Sequence, residues 1–455
     1  MRLTAPPRVT YCRLFPAIGT PFTYDAMERL GLSMRSNTNR MPDRPGPPPP
    51  PAAAYTYFGQ FIFHDLTRDD TPLSESPMPD AGEIVNHRTP FLDLDSLYGG
   101  GPFSLDSTLY QDRDNVCFKL GAANTSGRPF DVPMDTLRRR PLIADSRNNE
   151  NIVIRQIHAL FLVLHNMAVK ELRGTVPEEE LFDKARQRIR WQYQWLVRYD
   201  YLRRICRKDV YADVIEQGNT RIVWGDCFAI PVEFSHAAAR FGHSMVRPKY
   251  NLNRGKLNFP VVDLFAEAHR GEALHPDLAV DWGKFTRDPA NSIDTTIVDA
   301  LFNLSDESIH PFVALFTDFE TKALPVRTLY RAIAMKICTG EMARDTLDPC
   351  GILCEPIGYD PFRDLRDLGL IGQTPLWYYL LLEAEVCEKG ARLGPFGSRL
   401  IAEVIDGALR NDPHSILREM ERDPAWRPAT WKVGSIQVPI DNFQELTRVV
   451  GLLPD

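Results

Sequence analysis

The segment at residues 59–65 (GQFIFHD) places an amide, an imidazole and a carboxylate close together in the sequence. Gln60 and His64 are four residues apart, so a helix would present both side chains on the same face. Asp65 follows directly but points about 100° around such a helix, toward a different site. Because an imidazole titrates near neutral pH, His64 is a candidate proton acceptor. A histidine packed in an apolar core is the alternative interpretation.

Three later segments also combine residues that could do chemistry. They are residues 88–99 (RTPFLDLDSLYG), 145–151 (DSRNNEN) and 240–243 (RFGH). In this order, and together with residues 57–65, they resemble the animal-type haem peroxidase superfamily (the peroxidase–cyclooxygenase superfamily), most closely its bacterial branch. The stretch 374–379 (TPLWYY) fits the same pattern. The resemblance covers about residues 55–408 and implies a haem b enzyme that acts on hydrogen peroxide.

The resemblance assigns a role to four positions. His64 matches the distal histidine, Arg147 the distal arginine, and Gln60 the distal glutamine that orients water or peroxide. His243 matches the proximal ligand of the haem iron. The residue types suit the chemistry, since peroxide cleavage needs a proton shuttle and a permanent cation near the breaking O–O bond. Because His64 and His243 are far apart in sequence, we expect two helices to bring them to opposite sides of a flat cofactor.

A second set of oxygen ligands suits calcium, which takes about six to eight oxygen ligands from carboxylates and carbonyls. Four positions alternate along one segment: Thr89, Phe91, Asp93 and Asp95. An extended loop would turn all four toward one point. By resemblance, Phe91 contributes its carbonyl oxygen and Asp65 completes the set from the distal helix. Calcium would then fix the backbone beside His64, whereas an ordinary polar turn is the alternative.

Two positions depart from the family pattern. Phe63 stands where many relatives have a carboxylate that forms an ester with a haem methyl, whereas Glu150 matches the second ester-forming carboxylate. The resemblance therefore implies at most a single ester link, through Glu150. Asn151 follows Glu150, so the sulfonium link of the chloride-oxidising branch is absent. Thr328 stands where relatives have an asparagine that accepts the proximal imidazole proton, so we expect a changed interaction with His243.

The turn before His243 distinguishes two activities. Arg240 resembles the family arginine near the haem edge, whereas the cyclooxygenase branch has a radical-forming tyrosine in this turn. We therefore expect a haem peroxidase that oxidises an unidentified electron donor, such as a halide, a phenol or another organic molecule. A haem-dependent fatty-acid dioxygenase is the alternative, and an inactive haem-fold adhesion or scaffold protein is a second one. Arg331 is a candidate partner of a haem propionate, with a surface ion pair as an equal alternative.

Helical periodicity dominates after residue 54. It predicts helices at residues 151–173, 181–206, 234–246, 325–336, 376–388 and 395–409. Alternating β patterns are short and fall at residues 221–224 and 431–438. His158 and His165 lie on the first of these helices, and we expect them to serve packing and hydrogen bonding. The chain predicts a mainly α fold, a single large helical haem-peroxidase domain with few short strands.

The N-terminal region has a different composition. Residues 1–40 lack sustained periodicity, and an uninterrupted run of prolines at residues 47–51 favours an extended polyproline II conformation. We predict an N-terminal arm over residues 1–40, a proline-rich connector over residues 41–54 and the helical domain over residues 55–455.

Composition limits the partners. The chain has 455 residues, 44% of them hydrophobic and 25% charged, and a net charge of −7, so we expect no nucleic acid partner. No stretch approaches the roughly 18 apolar residues that span a bilayer, and residues 1–15 lack the apolar core of a signal peptide. We expect a cytoplasmic protein, or one exported without a cleaved signal. The eight cysteines are scattered, and Cys350 and Cys354 lack the second half of a zinc site. The oligomeric state stays open.

Overall fold

The computed structural model describes residues 9–451, except residues 18–21, 37–48, 72–78, 112–114, 226, 305–321, 349–350, 352–356 and 358–362. Parts of the predicted N-terminal arm, most of the predicted connector and residues 452–455 lie outside the described residues. Cys350 and Cys354 also lie outside them.

Helices form most of the regular structure, as the periodicity predicts. In the first half of the chain they are α1 (Tyr24–Ser33), α2 (Ala54–Leu66), α3 (Asp95–Tyr98), α4 (Ile152–Leu172), α5 (Leu181–Trp195), α6 (Leu202–Ile205), α7 (Lys208–Tyr211) and α8 (Val232–His236). In the second half they are α9 (Val261–Ala268), α10 (Trp282–Phe285), α11 (Leu324–Ala334), α12 (Gly340–Leu347), α13 (Arg363–Asp367), α14 (Leu376–Glu388), α15 (Pro395–Arg410), α16 (Ile416–Arg422) and α17 (Phe443–Gly451). The mainly α prediction is confirmed.

Helix α4 forms the centre of the core and was predicted almost to the residue. Asn151 caps it, because its side-chain oxygen accepts hydrogen bonds from the backbone amides of Val153 and Ile154. By length and composition alone this helix could cross a membrane, since its most apolar stretch of 18 residues has a mean hydropathy of 1.5. The expectation that no stretch reaches that length is therefore wrong. However, 94% of that stretch is buried inside the protein, as in the core helix of a globular domain.

Helix α2 packs against α4 and α17 through aromatic side chains. The ring of Phe61 stacks on that of Phe161, with centroids 5.1 Å apart, and the ring of Phe58 stacks on that of Phe443 at 4.6 Å. Such packing contributes beyond simple area burial and fixes the rotation of the helix. Since Phe58 and Phe61 are buried, Gln60 and His64 are held on the remaining face.

Two predicted helices are interrupted. The segment at 181–206 runs through a π-helical turn at Leu196–Tyr201 between α5 and α6. The segment at 234–246 breaks at Ala237, whose φ is −131° and ψ is −72°, so α8 ends and a 3₁₀ helix, Ala238–His243, follows. His243 therefore lies on a tighter turn than the α-helix that the periodicity predicts.

The described strands form three antiparallel pairs: β1 (Met134–Asp135) with β2 (Arg140–Pro141), β3 (Lys249–Tyr250) with β4 (Phe259–Pro260), and β5 (Trp431–Val433) with β6 (Ile436–Val438). The last pair confirms the β pattern at residues 431–438. The strand predicted at 221–224 is wrong, because the backbone amides of Arg221 and Ile222 donate to the buried Glu403 carboxylate instead.

The N-terminal region contains a helix that its sequence pattern did not predict. Thr23 caps α1 through its side-chain oxygen, and the helix packs on α11. Gly31 permits the close approach, since a Cβ there would lie 2.9 Å from the Cα of Val326. The stability of this helix thus depends on contacts that are distant in sequence.

Candidate functional site

His64 lies on the last turn of α2 and is almost enclosed. Its side chain is 12% exposed, its Nδ1 lies 2.9 Å from Oδ1 of Asn148, and its Nε2 lies 3.8 Å from a carboxylate oxygen of Glu150. Burial, followed by the positive charge of Arg147, lowers the pKa of His64 to about 3. The imidazole is therefore neutral at physiological pH and can accept a proton.

Arg147 is held rigidly beside His64. Its Nε and Nη2 donate to the two carboxylate oxygens of Asp145, at 3.0 and 2.7 Å. Its Nη1 donates to the carbonyl of Thr67 at 2.7 Å, and Nη2 also donates to the carbonyl of His64 at 2.8 Å. One N–H of Nη1 has no partner among the described residues. The guanidinium is thus fixed by the protein and keeps one donor for another molecule.

Gln60 and Glu150 form the next part of the site. Nε2 of Gln60 donates to Oε2 of Glu150 at 2.7 Å, and Asn151 donates to the Gln60 amide oxygen at 3.1 Å. Burial raises the pKa of Glu150 to about 7, yet its side chain is 36% accessible. The Glu150 carboxylate is thus surrounded by protein but still accessible to another molecule.

Phe63 joins the two halves of the site. Its ring makes edge-to-face contacts with Tyr201, Phe234 and Phe241, at centroid distances of 6.3, 5.7 and 6.1 Å. Phe241 belongs to the 3₁₀ helix that carries His243. The position of the first ester-forming carboxylate is therefore part of an aromatic cluster that connects α2 to the segment of His243.

His243 is partly accessible but desolvated. Burial, followed by Arg240, lowers the pKa of His243 to about 3, so the imidazole is neutral. Its ring contacts the ring of Trp377 edge-on at 6.0 Å, and its Nδ1 has no hydrogen-bond partner among the described residues. Thr328 does not supply that partner: its hydroxyl donates to the carbonyl of Leu324 in the preceding turn of α11, at 2.9 Å, and its oxygen accepts no hydrogen bond from Nδ1 of His243. No hydrogen bond joins Thr328 to His243, at the position where the sequence predicts a changed interaction.

Buried cations accumulate between α11 and the 3₁₀ helix. Burial, followed by the charge of Arg331, lowers the pKa of Arg240 to about 10, and burial followed by Arg331 also lowers the pKa of Arg327. Arg331 donates to the carbonyl of Thr71 and lies 3.8 Å from the carboxylate of Asp69. This is an internal contact, because the Arg331 side chain is only 19% exposed and that of Asp69 6%. The surface ion pair considered for Arg331 is not what the structure has.

The counter-charge near these arginines is limited. Asp69 accepts a hydrogen bond from Nε2 of His236 at 2.7 Å and from the backbone amide of Thr71. The Nε of Arg240 is buried without a partner among the described residues. Because an unpaired buried charge is costly, this group of arginines is suited to an anionic partner.

The three carboxylates among the predicted calcium ligands converge. One carboxylate oxygen from each of Asp65, Asp93 and Asp95 lies within 4.8 Å of the others. Burial, followed by repulsion from Asp93, raises the pKa of Asp65 to about 7, and burial followed by Asp65 raises that of Asp95 well above its usual range. The Thr89 hydroxyl donates to Asp93 at 2.8 Å.

The loop that carries these ligands is not extended as expected. The segment bends at residues 90–93, and Leu94 adopts a left-handed conformation with φ 60°. The ring of Phe91 stacks on Phe228, 6.1 Å away. A leucine in this region of φ is strained and therefore held by its surroundings, here by a hydrogen bond from its amide to Asp65 at 3.1 Å.

Several residues of the site were missed by the motif comparison. Arg88 donates to Asp145 at 2.8 Å and lies 3.8 Å from Asp95, so it links the acidic cluster to the partner of Arg147. The buried hydroxyl of Tyr193 is close enough to Asp65 for that carboxylate to raise its pKa further, after burial. Arg88 is the first residue of the segment 88–99, but the motif comparison gives it no role, whereas nothing in the sequence marks Tyr193.

The two histidines of α4 differ in their surroundings. His165 lies between the Tyr98 hydroxyl and the carbonyl of Val116, each 3.0 Å away, which confirms a packing and hydrogen-bonding role. His158 lies 3.1 Å from the amide nitrogen of Asn148 and is thereby connected to His64.

Comparison with known proteins connects this site to a family. The family model described as animal haem peroxidase matches residues 63–308, more than half of the chain. A stretch of 199 residues is 26% identical to a dual oxidase of Drosophila melanogaster. That match covers 39% of this chain and 12% of the dual oxidase, so the chain corresponds to a small part of that protein.

Solved structures share the fold. Peroxidase A from Dictyostelium discoideum superposes with a TM-score of 0.66 at 16% identity, covering 98% of this chain and 94% of that one. Fatty acid alpha-dioxygenases from Arabidopsis thaliana and Oryza sativa superpose with TM-scores of 0.62 and 0.59 at 12% identity, each covering 90% of this chain, and 73% and 77% of theirs.

Proposed function

This chain belongs to the animal haem peroxidase family, and on that basis we propose that it is a peroxidase that reduces hydrogen peroxide and oxidises a small electron donor. The observation that carries the proposal is the neutral His64 beside Arg147, on a helix whose Phe63 contacts the segment of His243. The donor, whether a halide, a phenol or another organic molecule, depends on the shape of its access route and is left open.

The residues present fit a haem group. His243 would bind the iron through Nε2, which its neutral state allows. Arg240 and Arg331 would pair with the propionates, and Arg327 adds a third cation that the motifs do not mark. The unpartnered Nε of Arg240 supports this arrangement, since a carboxylate of the cofactor would satisfy it. When bound, haem supplies the redox chemistry that cleaves the O–O bond.

The chain itself supplies proton transfer and charge stabilisation. With its Nδ1–H donated to Asn148, His64 presents the lone pair of Nε2, which accepts a proton from hydrogen peroxide and returns it to the departing oxygen. The free N–H of Arg147 stabilises the charge that develops on that oxygen. Gln60, fixed by Glu150 and Asn151, defines the wall against which peroxide is oriented.

Calcium is part of the proposal. Three carboxylates within 4.8 Å, two of them buried and that of Asp95 half-buried, repel one another unless a cation lies between them, and Oδ1 of Asp95 has no hydrogen-bond partner among the described residues. Asp65, Asp93, Asp95, the Thr89 hydroxyl and the Phe91 carbonyl together offer the oxygen ligands that calcium prefers.

Covalent attachment through one ester, at Glu150, is also proposed. The Glu150 carboxylate lies 3.8 Å from Nε2 of His64 and is still accessible, whereas Phe63 has no carboxylate and is packed among aromatic rings. A single ester link would leave the cofactor attached to the segment that carries Arg147 and free of α2.

A comparison of two assays tests the activity. We expect purified protein to oxidise a phenolic dye in the presence of hydrogen peroxide, and we expect a His243→Ala variant to lose the haem spectrum together with this activity. Oxygen uptake with a polyunsaturated fatty acid, without dye oxidation, would contradict the proposal and support the dioxygenase alternative. The arginine at position 240, where that branch has a tyrosine, favours the first result.

A further inference from the structure

Asn148 makes hydrogen bonds to two buried histidines at once. Its Oδ1 lies 2.9 Å from Nδ1 of His64, and its Nδ2 lies 3.1 Å from Nδ1 of His158. The Asn148 side chain is fully buried and His158 is 1% exposed. The contact between Asn148 and His158 is therefore shielded from water, whereas the side chain of His64 is 12% exposed.

The chemistry of the Asn148 amide determines which atom donates and which accepts in each of these hydrogen bonds. An amide nitrogen can only donate, so Nδ1 of His158 must accept and its ring proton must lie on Nε2. An amide oxygen can only accept, so Nδ1 of His64 must carry a hydrogen. A neutral imidazole has a single ring hydrogen, and Nε2 of His64 is therefore left with a lone pair.

We propose that Asn148 and His158 are positioning residues, which hold the ring hydrogen of His64 on Nδ1 and so keep Nε2 ready to accept a proton from peroxide. This inference rests on the proposed function for its catalytic meaning. His158 acts at a distance: by accepting from Nδ2, it prevents the amide of Asn148 from turning over and presenting a donor to His64.

Charged neighbours do not replace this effect. Asp145, Arg147, Arg88 and Glu150 face His64. Against the larger effect of burial, the charge of Asp145 also raises the pKa of His158. The Asp145 carboxylate, however, is hydrogen-bonded to both Arg147 and Arg88. The ring of Phe61, whose centroid lies 6.2 Å from that of the imidazole, covers another side of His158. The hydrogen-bonded side chains of His64, Asn148 and His158 are thus uncharged, and they act by fixing the position of a hydrogen.

The expected effect follows from one hydrogen bond. Without an acceptor at position 158, the two orientations of the Asn148 amide become nearly equal in energy, and both tautomers of His64 are populated. A net hydrogen bond, or the cost of leaving a buried donor unpaired, corresponds to about tenfold in that ratio. The variant His158→Leu should therefore contain about half of His64 with the hydrogen on Nε2, and its reaction with peroxide should slow by about twofold, because the reactive tautomer falls from about nine tenths to about one half.

The infrared stretching frequency of carbon monoxide bound to the ferrous haem protein reports the tautomer of His64 directly. A lone pair on Nε2 gives the bound CO no hydrogen bond from His64, whereas an Nε2–H donates to it and lowers its stretching frequency. We expect one high-frequency infrared band in wild type and an added low-frequency band in His158→Leu. His158→Asn, which has the same shape as leucine but places an acceptor oxygen near the former Nδ1, should restore the wild-type band and rate. His165→Leu, which removes the other buried histidine of α4, should lower thermal stability without moving the band.

Two results would overturn the inference: a wild-type CO band in His158→Leu, or the same altered band in His158→Asn and His158→Leu. If His158→Leu does not retain haem, the pair Asn148→Leu and Asn148→Asp gives the same test, since only aspartate can still accept from Nδ1 of His64. Wild-type protein that binds haem and CO but does not react with peroxide would refute the proposed function. The infrared comparison would still decide the role of His158 in that case.

Discussion

Replacing Asp145 with asparagine tests how the distal arginine is held. The buried carboxylate accepts from the backbone amide, Nε and Nη2 of Arg147, at 3.0, 3.0 and 2.7 Å, and from Nε of Arg88 at 2.8 Å. Asp145→Asn keeps the shape but removes the charge, and it turns an amide nitrogen toward a guanidinium. Breaking a buried ion pair from one side costs about 3–5 kcal/mol.

That cost converts into a measurable melting temperature. With an unfolding entropy of about 2.1 cal/mol/K per residue, the 455-residue chain changes Tm by about 1 °C for each kcal/mol, so we expect a decrease of about 3–5 °C. The rate of the reaction with peroxide should also fall, by about 10²-fold, because Arg147 loses its fixed position.

The pH dependence of the same variant gives an independent check. Burial alone would raise the pKa of Asp145, but Arg147 and Arg88 hold it well below its usual range. A depressed folded pKa adds stability that is complete above the unfolded pKa of about 3.9 and is lost as the pH falls below it. The difference in Tm between wild type and Asp145→Asn should therefore be constant from about pH 5 to 8 and shrink below about pH 4.

Asp131→Asn is the matched control, because Asp131 pairs with Arg155 in an equally buried bridge that does not contact Arg147. Thermal melts and stopped-flow mixing with peroxide measure both properties on each variant. We expect similar losses of stability, but a slow peroxide reaction only in Asp145→Asn. Equal peroxide rates in the two variants would refute the reasoning that Asp145 positions Arg147.

Three further outcomes are expected. Elemental analysis should find calcium in protein purified without added calcium, and Asp93→Ala should lower both the calcium content and Tm; active protein without calcium would contradict the site. Denaturing chromatography at the haem absorbance should show that peroxide cycling increases the covalently bound fraction in wild type and that Glu150→Gln releases all of it; haem still attached in that variant would identify a different carboxylate. Arg327→Ala should weaken haem retention, measured by transfer of haem to apomyoglobin, more than Arg138→Ala, a change in an exposed arginine; equal transfer rates would remove Arg327 from the cofactor site.

The sequence predicts those parts of the fold that depend on local pattern. Helix α4 was found within a residue at each end, because its apolar run is long and Asn151 caps it. The break at Ala237 was missed, since the apolar periodicity continues across it. Helix α1 was also missed, because a short helix is stabilised by its contact with α11 more than by its own composition.

The site shows the same division. Motif matching located His64, Arg147 and Glu150, which the structure places together. It did not reveal that the Thr328 hydroxyl donates within its own helix, because the hydrogen-bond partner of a threonine hydroxyl depends on geometry. It assigned His158 to packing, since only the fold shows that Asn148 lies between His158 and His64.

The central claim is that His64 is the proton acceptor of a peroxide reaction opposite His243. Stopped-flow spectroscopy of the haem-loaded protein mixed with hydrogen peroxide measures this directly, in wild type and in His64→Ala at matched haem content. We expect a rapid spectral change in wild type and a rate at least about 10²-fold lower in His64→Ala, because a positioned proton acceptor has been removed. Equal rates in the two proteins, or no spectral change in wild type, would contradict the claim.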